Sequence, residues 1–152
     1  MRFDLNSILG KVDIQSNHFH EDTEEYYIQN GIVKIPYRIY LSSELVDSPN
    51  LNDREKRLLS NYFTRHNDGY VRQKALKVIV HSDFIYDYEV PFLFRICGEY
   101  IVEILEDAFE GVKKIDEESI KQFINRNLKN IQLNEERMIS YWSEYYRKNL
   151  MV

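Results

Sequence analysis

The chain has 152 residues, 43% of them hydrophobic and 30% charged, with a formal net charge of −5, which suits one globular domain hiding roughly 68 to 70% of its unfolded surface and excludes a disordered chain. An acidic balance argues against nucleic-acid binding, where a basic stripe is the expected footprint. A single cysteine, Cys97, excludes an internal disulfide and a cysteine-based zinc site, and no apolar run reaches signal-peptide or membrane-span length, so a cytoplasmic, membrane-free protein is expected.

The first 50 residues read as an irregular or extended arm and residues 51–152 as a helical core, together forming one domain. His18 and His20 in NHFHED form an H-x-H pair beside Glu21, Asp22, Glu24 and Glu25. Imidazoles two apart share one side of an extended strand, so a metal-dependent enzyme built on this arm is an alternative. No third matched histidine accompanies the pair, and the reading preferred is an exposed polar arm with no metal and no cofactor. Ile32 to Leu41, IVKIPYRIYL, alternates as a strand does, and Pro36 inside it points to an edge strand or extended arm rather than a central strand.

From Asn52 onward the pattern is helical. Asn52 or Asp53 caps a first helix through Thr64, with Leu58, Leu59, Tyr62 and Phe63 on one face. Asn67, Asp68 and Gly69 make a turn into a second helix from Tyr70 to about His81. Arg65 and His66, as neighbours on that turn, are expected to cap the C-terminus of the preceding helix rather than act in acid-base chemistry. Pro91 suits the first turn of a long helix reaching about Phe109. Asp116 or Ser119 starts a fourth helix to about Ile131, and Asn134 caps a fifth through about Lys148.

The long helix carries the sharpest functional signal. Glu99, Glu103, Glu106, Asp107 and Glu110 recur every three or four positions with no lysine or arginine between them. Like charges at i,i+4 destabilise a helix by roughly 0.2 to 0.5 kcal/mol per pair, so a one-signed stripe asks for a basic partner. Tyr86 and Tyr88 alternate with Asp87 and Glu89 in the loop before it, where tyrosine supplies contact area with a polar tip. Cys97, set in the apolar sequence FRICGEY, reads as a buried and inert thiol. No phosphate loop or nucleophile elbow appears, and the chain is read as no enzyme, with no catalytic residues.

The spacing Asp68-x-x-Val71-Arg72-x-x-Ala75 at a helix-to-helix turn resembles a HEAT repeat, in which the aspartate and arginine hold the turn. The order of HEDTEEYY, PYRIYL, TRHNDGYVRQKAL and VPFLFRICGEYIVEILE resembles small bacterial HEAT-like immunity proteins of contact-dependent growth inhibition and related polymorphic toxin systems. The resemblance implies a mainly all-α fold of antiparallel HEAT-like helix pairs with a short N-terminal arm. It also implies that the protein neutralises one cognate toxin, such as a nuclease, by occluding a basic active-site cleft. Tyr86, Asp87, Tyr88, Glu89, Glu99, Glu103, Glu106 and Glu110 are the expected contact residues. A protein scaffold unrelated to toxins is the other alternative.

Overall fold

The computed structural model describes residues 2–3, 5–10, 23–98 and 102–136. The architecture is mainly helical with a small sheet, so the expected fold class holds at that level. Strands β2 (Thr23–Ile28) and β3 (Gly31–Pro36) form an antiparallel hairpin, in register from Thr23 opposite Pro36 to Ile28 opposite Gly31. Gln29 and Asn30 are left as a two-residue turn. Strand β1 (Arg2–Phe3) pairs with β3 in parallel, giving the order β1-β3-β2. The expectation that Pro36 confines this segment to an edge is therefore corrected: β3 is the central strand. Pro36 is tolerated because it is the strand's last residue, where the loss of an amide donor falls at the end of the ladder.

Beyond Pro36 the chain is fastened by the turn after the first helix pair's leading helix. Buried Arg65 donates to the carbonyls of Pro36 (3.4 Å) and Tyr37 (2.7 Å). The Ile39 amide donates to the Arg65 carbonyl and the Asn67 amide to the Ile39 carbonyl, each at 3.0 Å. His66 accepts the Asp68 amide at Nδ1 (3.0 Å), so its Nε2 is the donor to the Leu41 carbonyl, at 2.7 Å. The side chains of Arg65 and His66 thus act outward onto the 36–41 segment, while their amides close the helix before them on the Tyr62 and Phe63 carbonyls, at 2.9 and 3.1 Å, as expected of that turn.

Helix α1 is a single turn (Asn6–Leu9), and α2 (Asp53–Phe63) starts at a capping box in which the Asn52 side chain accepts the Glu55 amide and Glu55 accepts the Asn52 amide. Helix α3 (Gly69–Val80) is capped by Asp68, which accepts the Tyr70 amide at 2.9 Å. Arg72, buried, donates to the carbonyls of His66 (2.7 Å) and Asn67 (3.3 Å), so Asp68 and Arg72 do hold the turn, through the backbone. Lys114 closes the other end of α3 by donating to the carbonyls of Val80 and Ser82, a cation at a helix C-terminus.

The long helix expected from Pro91 to Phe109 is two helices, α4 (Val90–Ile96) and α5 (Val102–Val112). The amide of Cys97 is shared between the Leu93 and Phe94 carbonyls and that of Gly98 bonds Arg95, so the ladder passes from four-residue to three-residue contacts, which tighten and end α4. Helix α5 packs on α3 and α4. A Cβ on Gly111 would lie 2.7 Å from Val80 Cγ1 and 3.1 Å from Leu93 Cδ2, so glycine is what permits this approach. Leu76, Ile79, Leu93, Ile96, Ile104 and Ala108 form the core there, while Tyr26, Ile35, Tyr62, Phe92 and Phe123 belong to a second core against the sheet. Burying each large apolar side chain contributes roughly 1.5 to 3 kcal/mol.

Helix α6 (Glu117–Arg126) starts at Asp116, whose side chain accepts the Ser119 amide and hydroxyl, holding its carboxyl below the usual range. It ends at Asn127, and the chain is helical again over 128–136. The boundaries expected at Ile131 and Asn134 are corrected by what the asparagines do. Asn127 accepts the Tyr27 amide (2.7 Å) and donates to the Tyr27 carbonyl (2.8 Å). Asn130 donates to the Glu25 carbonyl (2.5 Å), and Asn134, inside the helix, donates to the Tyr26 hydroxyl (2.7 Å). Asn127 and Asn130 thereby cover the outer backbone edge of β2, while Asn134 holds the Tyr26 side chain. The remainder of the expected fifth helix, including Trp142, Tyr145 and Tyr146, lies outside the described residues.

Candidate partner-binding surface

Helix α5 presents Glu103, Glu106 and Glu110 to solvent, within about 60° of one another around the helix axis. Glu110 pairs with Lys113 at 3.0 Å, an exposed i,i+3 contact of small energetic weight. Asp107, half-buried beside them, has one carboxylate oxygen buried without a hydrogen bond. Glu99 lies outside the described residues, and the break after α4 means that the acidic face belongs to a separate eleven-residue helix.

Tyr86 to Glu89 lead into α4, not into the acidic helix, and the structure divides their roles. Glu89 is fully buried. Its carboxylate accepts from Arg57 Nε (3.0 Å), Arg57 Nη2 (2.6 Å), Asn61 Nδ2 (2.8 Å) and the Tyr86 amide (2.9 Å). Glu89 is therefore corrected from a contact residue to an internal anchor: no partner reaches it without unfolding this corner. Asp87 is exposed and accepts the Gln29 amide at 3.2 Å, closing the hairpin turn.

Arg57 holds the corner together. Besides Glu89 it donates to Ser82 Oγ (2.9 Å) and the Phe84 carbonyl (2.7 Å), and its guanidinium lies 4.4 Å from the Tyr86 ring centroid. Burial pulls its pKa down, but the hydrogen bonds and charge of Glu89 outweigh that and hold it above the usual value. The rings of Phe84, Tyr86, Tyr88 and Phe3 follow in sequence at centroid distances of 4.7, 5.6 and 4.8 Å. Tyr86 is 40% exposed and Phe84 53%, so two rings of this ladder offer apolar area to a partner. Tyr88 is half-buried; burial first, and then the charge of Glu89, push its hydroxyl well above the usual range.

A second polar cluster ties the sheet to α4. The Tyr26 hydroxyl donates to Glu24 at 2.5 Å, and Arg95 approaches the same carboxylate at 3.6 Å. Burial, followed by Glu24, raises the Tyr26 hydroxyl far above its ordinary range. These contacts tie β2 to α4, and Asn134 joins them by donating to the Tyr26 hydroxyl.

His18 and His20 lie outside the described residues, and among the described ones no cluster of three or more His, Cys, Asp or Glu is placed to hold a metal. No described helix is long and apolar enough to cross a membrane. Cys97 is 8% exposed and burial pushes its thiol up to about 12, so the thiolate population at pH 8 is negligible. Native protein is expected to resist a thiol-specific disulfide reagent at pH 8 and to react fully once unfolded in denaturant. Rapid labelling of the native chain would show the thiol to be accessible.

The residues that sequence reasoning missed are Arg57, Asn127 and Asn130. A faint signal exists for the asparagines, since three of them at i, i+3 and i+7 is an unusual choice for a helix face. Comparison of the chain with family models, with curated proteins and with solved structures returned no match.

Proposed function

We propose that the protein is a binding module that neutralises a basic protein toxin, in the manner of the immunity proteins its sequence resembles. The observation that supports this most is the exposed acidic face of α5. Among the described residues Glu103 and Glu106 carry no partner there, so a lysine- or arginine-rich cleft would convert their mutual repulsion into complementarity. Tyr86, with Phe84 beside it, supplies amphipathic area of the kind that anchors interfaces. In this reading the α2–α3 pair is a HEAT-like unit, the action is stoichiometric and steric, and the setting is the bacterial cytoplasm.

The double reversal Glu103→Lys/Glu106→Lys tests it. Binding is to be measured against the toxin encoded beside this gene, or against the basic protein that co-purifies from the native host. Association is expected to slow by roughly tenfold or more at low salt, with the salt dependence flattened. Unchanged affinity and unchanged salt dependence would remove the acidic face from the mechanism.

A further inference from the structure

At the end of the aromatic ladder the structure carries an open slot of about 280 Å3 between strand β1 and the start of α2. Its apolar walls are Phe3, Leu58 and Tyr88, each only partly buried. Phe3 stacks on Tyr88 at 4.8 Å and Tyr86 backs Tyr88 at 5.6 Å, so the aromatic wall is set before any ligand arrives. Asn52, Arg54 and Glu55 form the polar rim. None of these residues belongs to the α5 face.

The hydrogen-bonding groups of the slot are one-sided. Asn52 Oδ1 accepts the Glu55 amide at 2.9 Å and the Glu55 carboxylate accepts the Asn52 amide at 3.0 Å, so both side-chain acceptors of the rim are committed to the capping box. The donors are uncommitted: among the described residues neither the Arg54 guanidinium, nor Asn52 Nδ2, nor the Tyr88 hydroxyl makes a hydrogen bond or ion pair. Burial and Glu89 keep that hydroxyl protonated, and so a donor, at any ordinary pH. Charge does not favour an anion here, because Arg54 stands between Asp53 and Glu55 in the first turn of α2 and Arg57 is paired with Glu89. An ordinary extended peptide brings an amide for every carbonyl, and its amides would meet donors. A proline-rich segment brings carbonyls without those amides, since the prolyl nitrogen carries no hydrogen and a polyproline II helix makes no internal hydrogen bonds. Its rings also suit an aromatic wall. The volume lies below the roughly 300 to 1,000 Å3 of sites that engulf small molecules, and it fits a chain laid across the opening. We infer that the slot docks a proline-rich, polyproline II segment of a protein partner, with prolyl rings on Phe3, Leu58 and Tyr88 and carbonyls on Asn52, Arg54 and the Tyr88 hydroxyl. This surface is uncharged in its recognition, unlike the α5 face, and stands whether or not the toxin reading does.

The probe is a labelled, acetylated and amidated peptide without charged residues, with leucine at every third position and proline elsewhere. The same peptide with alanine at every proline position is the control. Fluorescence anisotropy with the full chain is expected to show saturable binding of the proline peptide, at least about tenfold tighter than the alanine one. Binding is expected to be unchanged between about 0.05 and 0.5 M salt, since the peptide carries no charge. Arg54→Ala and, separately, Tyr88→Phe are each expected to weaken it about fivefold, the effect of one net hydrogen bond. Far-UV circular dichroism should be unchanged in both, because neither polar group bonds within the described fold and phenylalanine keeps the ring stack. No binding of the proline peptide, equal binding of both peptides, or indifference to both substitutions overturns the proposal. So does binding that appears only when the peptide carries a free C-terminal carboxylate, because the slot would then be an anion site.

Discussion

Arg57→Ala is expected to lower the stability of the folded chain by about 3 kcal/mol, the lower end of what removing one partner from a buried ion pair costs. Glu89 would stay where it is, fully buried, with its carboxylate stripped of both guanidinium hydrogen bonds and left with Asn61 and the Tyr86 amide. The figure sits at the lower end because the Arg57 side chain is itself 19% exposed, so water can follow the truncation inward. For a domain of this size that corresponds to a fall in Tm of roughly 6 to 12 °C. The cost extends past electrostatics, since Arg57 also holds the Ser82 hydroxyl and the Phe84 carbonyl and stacks on Tyr86. The double variant Arg57→Leu/Glu89→Leu is expected to recover part of the loss, because it removes the stranded charge along with its partner. Thermal unfolding followed by circular dichroism checks both. A single variant as stable as the parent would mean that Glu89 is solvated without Arg57.

The features legible in the sequence are those written in a few adjacent residues. Asn52 with Glu55, Asp68 before Tyr70, and Asp116 before Ser119 each announce a helix start, and each caps the helix expected of it. Buried Cys97 was equally legible from its apolar neighbours. What failed was set by partners remote in sequence. Glu89 alternates with tyrosines exactly as an exposed loop acid would, and what buries it is Arg57, 32 residues earlier. Apolar periodicity runs on through Ile96 and Ile104, which hides the break at Cys97 and Gly98, where the amides turn back onto the Phe94 and Arg95 carbonyls. Pro36 argued for an edge because local rules do not know where a strand stops, and β1 from the far N-terminus then supplied the second neighbour. For the acidic face, spacing gave the right helix side for Glu103, Glu106 and Glu110 but not the length of helix that carries them.

The Asn127→Ala/Asn130→Ala variant is expected to cost about 2 to 3 kcal/mol and to turn a protected edge into an adhesive one. Strand β2 has β3 on one side, and on the other its outward backbone groups at Glu25 and Tyr27 are held by side chains from about a hundred residues later. The two bonds to Tyr27 are partly buried and the one to the Glu25 carbonyl is exposed; each contributes roughly 1 kcal/mol, and the Tyr27 groups left behind lack an internal partner. An uncapped edge strand is also a template for pairing with another chain. Sedimentation at rising concentration should therefore show association that the parent lacks. Adding Tyr27→Pro to the double variant separates the two effects: it removes the outward amide that a docking strand would use, so association should fall while the stability loss remains. Association undiminished by Tyr27→Pro would place the sticky surface elsewhere. A double variant as stable and as monodisperse as the parent would mean that the 128–136 helix is held by its apolar contacts alone, with the asparagine ladder adding nothing.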